Sequence, residues 1–186
     1  MRTARDGAHL LHDALGLEGG AVAGVLEPPA PDAPRLDRPG PAQLAAAGPR
    51  ARGRERDYEL LLEMILEGYR LHYDAPVVVH TPDVDLALLL GDQLYALGLS
   101  RLAALGDLDA VAELADVISL AAQAHVASDR DLAGAVWQAG ASSVGWGPSE
   151  AHTEAKARAR AHDPGAAAAL REAACAVRID PADPCL

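Results

Sequence analysis

The chain has 186 residues, a formal net charge of −11, no Phe, 3% aromatic and 50% hydrophobic residues. That length suits one domain with some tail, and the acidic balance weighs against nucleic acid or an anionic membrane as a partner. Cys175 and Cys185 are the only cysteines and have no metal-type spacing, which weighs against a disulfide scaffold or a zinc module.

Ala and Leu supply most of the apolar half, and both lead the helix-propensity ranking, whereas strands favour β-branched and aromatic residues. All the basic residues except Lys156 are arginine. The start, Met1 to Asp13, has no apolar core of a signal peptide. The longest strongly apolar run, Leu86 to Leu90, sits between Asp85 and Asp92 and falls far short of the ~20 residues of a membrane span. The expectation is a cytoplasmic protein with no integral membrane segment.

In chain order, residues 8–17 predict a short helix with Leu10, Leu11, Leu15 and Leu17 near one side, in a weakly ordered 1–26 segment. Residues 27–53 hold prolines 28, 29, 31, 34, 39, 41 and 49 and few large apolar groups, which predicts an extended linker. A helical domain is expected over 54–178 and a frayed tail, with Pro181 and Pro184, over 179–186. Its first helix, 54–74, places Tyr58, Leu61, Leu62, Ile65 and Tyr69 on an apolar face. Glu59, Glu63, Glu67 and Arg70 line another face, expected to meet water.

Thr81-Pro82-Asp83 reads as a cap, a first-position proline and an acidic first turn. The helix that follows, to about Leu105, is apolar nearly all round and is expected to be central and buried. Gly91 and Gly98 lie on one stripe where another helix could come close. Asp107 caps a helix in which Asp109, Glu113, Asp116, Ser119 and Gln123 form one polar stripe. Further helices run to about Val144 and from caps at Ser149 and Asp163. No alternating strand pattern occurs, so the fold expected is all-α.

The run from His80 to Leu97, with Leu88-Leu89-Leu90-Gly91-Asp92 at its centre, and the following Gly106-Asp107-Leu108 to His125 resemble the trans-polyprenyl synthetases. The resemblance spans roughly residues 55 to 145. It implies a shortened isoprenoid-synthase-like helical bundle. The family holds magnesium and an allylic diphosphate through two aspartate-rich motifs. At the first motif this chain has Leu71-His72-Tyr73-Asp74-Ala75-Pro76-Val77, matching one aspartate only, and no second motif follows. The pattern is similar to non-catalytic small subunits of two-component polyprenyl synthases.

The resemblance therefore implies no catalytic residue, no cofactor, and action as an auxiliary subunit, as a homodimer or in a heteromer with a catalytic polyprenyl synthase. Leu88, Gly91, Leu94, Tyr95 and Gly98 are the interface candidates. Two other readings stand beside it. One is a self-associating helical scaffold unrelated to isoprenoids. The other is a divergent magnesium-dependent prenyltransferase with Asp74, Asp83, Asp85 and Asp92 as a rearranged metal site.

Each candidate has a plainer role: Asp83 and Asp85 in a first helical turn, Asp92 as a buried group satisfied internally, His125 at a helix end, and His152 and His162 in water. Arg50, Arg52, Arg54 and Arg56 read as a solvated basic run.

Overall fold

A computed structural model describes residues 2–178, so the expected tail at 179–186 lies outside the described residues. The helices are α1 (Ala4–Glu18), α2 (Gly20–Ala23), α3 (Pro41–Ala46), α4 (Glu55–Tyr73) and α5 (Val84–Ala104), followed by α6 (Leu108–Val126), α7 (Arg130–Trp146), α8 (Glu150–Arg160) and α9 (Ala166–Ala176). The fold is all-α. Among the described residues the only extended pairing is one antiparallel bridge between Leu26 and Val79.

Local chemistry places the helix starts. α1 begins earlier than the apolar pattern indicates, because Thr3 and Asp6 form a reciprocal capping box. α5 begins later than Pro82, because its cap is Asp83. The Asp83 carboxylate accepts from the N–H groups of Asp85 and Leu86 at 3.0 and 3.1 Å, while Thr81 Oγ1 accepts from Asp83 N.

The central helix is α4. Residues 61–69 are buried without interruption, and α1, α3, α5 and α6 all pack against it. α5 is instead an edge helix resting chiefly on α4, contrary to its apolar composition. Val84 and Leu89 remain 71% and 67% exposed. α6 and α7 form a second pair, and α8 and α9 close the far side.

Residues 27–53, expected as a linker, are folded and structural. Pro41 opens α3, and Pro34 and Pro49 open two short 3-10 turns, all at first helical positions where a missing N–H does no harm. α3 is the wedge between the two helix pairs, packing on both α4 and α7. Ala42, Ala45 and Ala51 are fully buried. The approach to α7 is backbone to backbone, since a Cβ on Gly48 would overlap Gly145.

Candidate functional site

The polar face of α4 does not meet water. Glu59, Glu63 and Glu67 are 2%, 1% and 0% exposed, covered by α1, α3 and the 77–79 segment. Glu67 Oε1 accepts three backbone N–H groups, from Val77, Val78 and Val79, at 2.7, 2.7 and 3.1 Å. Its Oε2 takes Arg70 at 3.0 Å. Gln43 Nε2 donates to both Glu59 and Glu63, while Gln43 Oε1 accepts from Gly40 N. Arg2 Nε reaches Glu59 at 2.6 Å.

Only Gly7 fits above this row, because an added Cβ would run into Gln43 and Glu63. Glu63 Oε2 lies 3.6 Å from Arg70, within ion-pair range but without a hydrogen bond. Burial pushes the Glu63 carboxyl up from its ordinary value, against the Arg70 charge and the Gln43 hydrogen bond.

A second internal network lies between α6 and α8. Glu113, read from its stripe as solvated, is 8% exposed and accepts from His152 Nε2 and Lys156 Nζ at 2.7 and 2.6 Å. Lys156 also reaches Asp116 at 2.8 Å. His152, expected in water, is 4% exposed. Burial alone would raise the Glu113 carboxyl, but His152 and Lys156 together hold it below the usual carboxylate range.

The arginine run is partly engaged too. Arg50 joins the Tyr58 hydroxyl on Asp107, the α6 cap, and Arg54 donates to Leu105 O. Burial, followed by the Asp107 contact, pushes Tyr58 up to about 12.

The candidate aspartates lie apart. Asp74 is the exposed residue after α4, and Asp83 and Asp85 are exposed at the start of α5. Asp92 is 73% exposed by side chain, with His72 Nε2 3.1 Å away but not hydrogen-bonded, so it is not the buried group expected. Among the described residues, no three His, Cys, Asp or Glu side chains converge in a way that could hold a metal ion.

Of the interface candidates, Gly91, Leu94 and Gly98 are buried within the chain. A Cβ on Gly91 would meet His72 and Gly68, and one on Gly98 would meet Ile65. The close helix approach is thus filled by α4. Tyr95 stacks on His72 with ring centroids 5.4 Å apart. Leu88 alone of the set is exposed, at 40%.

A cleft opens where α4 ends beside α6, α7 and the 35–41 segment, and the sequence reading did not identify it. Its volume is about 350 Å³. Tyr69, Tyr73, His125 and Trp137 form an aromatic wall. Tyr69 meets Trp137 edge-on at 5.2 Å, and Tyr73 stacks on His125 at 4.8 Å. The Tyr69 hydroxyl and His125 Nε2 are 2.7 Å apart. Burial, then the Asp74 charge, raises the Tyr69 hydroxyl, so its proton is held for this contact. Arg35, Arg70, Arg130 and Asp74 supply the charged part of the lining.

The signal in the sequence was thin: the few aromatic residues of a chain without Phe fall on three helices, Tyr58, Tyr69 and Tyr73 on α4, Tyr95 on α5, and Trp137 and Trp146 on α7. No helix among the described residues is long and apolar enough to cross a membrane. The chain matches no family model, no curated protein and no solved structure.

Proposed function

We propose that this chain works by association, as a non-catalytic auxiliary subunit for isoprenoid diphosphate synthesis. The observation that carries the reading is the outer face of α5. Val84, Leu88 and Leu89 stand exposed on a helix whose other face is seated on α4. Large apolar groups grouped on a free helix face suit a protein partner. The resemblance of residues 80–97 to polyprenyl synthetases names the partner class, a catalytic synthase subunit in the cytoplasm.

The acidic groups support the same reading. Glu59, Glu67 and Glu113 are bonded to protein donors in the interior, and Asp83 is occupied in capping α5. Magnesium and an allylic diphosphate with isopentenyl diphosphate are therefore expected to give no product with the purified chain. The chain is expected to co-elute at a fixed ratio with a polyprenyl synthase from the same genome. Product from the chain alone would establish the divergent enzyme and sink the auxiliary role.

A second reading is self-association. Leu89, Ala96 and Ala103 recur at seven-residue steps and are all exposed, the seam on which a second α5 could pack closely. A concentration-dependent dimer with no affinity for the synthase would favour it.

A further inference from the structure

The cleft at the end of α4 has the composition of a small-molecule site and is separate from the α5 face. Its volume of about 350 Å³ lies in the range of compact ligand pockets. The chain has four tyrosines and two tryptophans, and Tyr69, Tyr73 and Trp137 all line this one opening. Trp137 is 4% exposed and its indole Nε1 has no hydrogen-bond partner, although buried donors are ordinarily satisfied.

The charges point to the sign of the occupant. Arg70 is paired with Glu67. Arg130 makes no salt bridge or hydrogen bond among the described residues, and Arg35 has only a long contact of 3.4 Å to Ala75 O. Against these two stands one carboxylate, Asp74, which leaves one positive charge uncovered at the opening of a strongly acidic protein.

We propose that this cleft binds a small planar organic anion, an aromatic or conjugated monocarboxylate. Its ring lies against the exposed Tyr73, beside Tyr69 and Trp137, and its carboxylate is taken by Arg35 and Arg130. A flat ring matches the offset and edge-on packing already present, and a single negative charge matches the uncovered positive one. A larger neutral group would leave the arginines without an anion, and an inorganic anion would leave the aromatic wall bare. Gly134 also lines the cleft, and nothing lies within 4 Å of a Cβ built on it, so a side chain added there would enter open space over the opening.

The test is calorimetric titration of the purified chain with trans-cinnamate, cinnamyl alcohol, acetate and phenyl phosphate. Alongside it, the two indole N–H signals are followed by NMR and assigned with Trp146→Phe. Cinnamate is expected to bind saturably, about ten-fold or more tighter than the alcohol or acetate, and to move the Trp137 signal. Arg130→Gln should weaken cinnamate by about ten-fold. Gly134→Leu should abolish binding with the melting temperature kept or raised, since Leu is the better helix former.

No saturation by cinnamate at millimolar concentration would overturn the proposal. So would binding that survives both Arg130→Gln and Gly134→Leu, or binding of cinnamyl alcohol as tight as that of cinnamate. Phenyl phosphate binding about ten-fold tighter than cinnamate would overturn the monocarboxylate assignment. Because Gly134 and Arg130 are exposed on α7 and no α5 residue lines the cleft, loss of cinnamate binding leaves the association with a synthase unaffected, and the two readings fail separately.

Discussion

Glu67 and Glu63 lie four residues apart on one helix face, yet they have different partners. Three buried backbone N–H groups converge on Glu67, so Glu67→Ala leaves three donors and Arg70 without it. The expected loss is about 3–5 kcal/mol, read from urea denaturation. Glu63 is held up by burial. An acid whose folded value lies above its ordinary 4.5 favours the folded state when protonated, and stability is lost as pH rises from there toward the folded value. Glu63→Gln removes that loss while keeping an acceptor for Gln43. At neutral pH its melting temperature should therefore equal or exceed that of the parent chain. A clear drop would show that the Arg70 contact outweighs burial.

The identity of these carboxylates was plain in the sequence, but their burial was not. Glutamates at four-residue steps look alike on a solvated face and on a covered one. The difference lies in Arg2, Gly7 and Gln43, which are remote in sequence and reach α4 only once the chain has folded.

At the scale of elements, helix periodicity and caps gave α4 to within a residue at each end, the starts of α6 and α8, and the end of α7 to within two residues. The misreadings have physical causes. Proline density in 27–53 suggested an open linker, but Pro34, Pro41 and Pro49 each open a helical turn. The apolar composition of α5 suggested a central helix, yet it rests chiefly on α4 and, lightly, on α6. Composition records how much apolar surface a helix carries, not how many neighbours are available to cover it.

α3 yields a prediction of its own. Its wedge depends on contact between Gly48 and the Gly145 backbone. Gly48→Ala must push α3 away from α7, at a cost of about 1–3 kcal/mol in chemical denaturation. Unchanged stability would mean that α3 is a passenger and not a wedge.

For the whole molecule, the acid limb of stability is set by carboxylates held below their usual range. Glu113, Asp116 and Asp107 are each raised by burial and lowered further by their partners, His152, Lys156, Arg160, Tyr58 and Arg50 among them. Groups depressed on folding contribute fully above their ordinary values, and the contribution is lost as pH falls through the folded ones. The melting temperature should fall steeply below about pH 4, and Lys156→Met should move that fall to higher pH. An acid limb unchanged in the variant would place the acid sensitivity elsewhere.

The central claim concerns what α5 meets. The most direct measurement is the rate of a polyprenyl synthase from the same genome, assayed with magnesium, an allylic diphosphate and isopentenyl diphosphate as this chain is added to equal concentration. The account predicts a change in rate or product length that saturates at a fixed ratio. That change should disappear with Leu89→Asp, a substitution at an exposed position that leaves the melting temperature within about 0.5 kcal/mol equivalent of the parent. A rate and product length unaffected by the chain, or an effect that Leu89→Asp leaves intact, would contradict it.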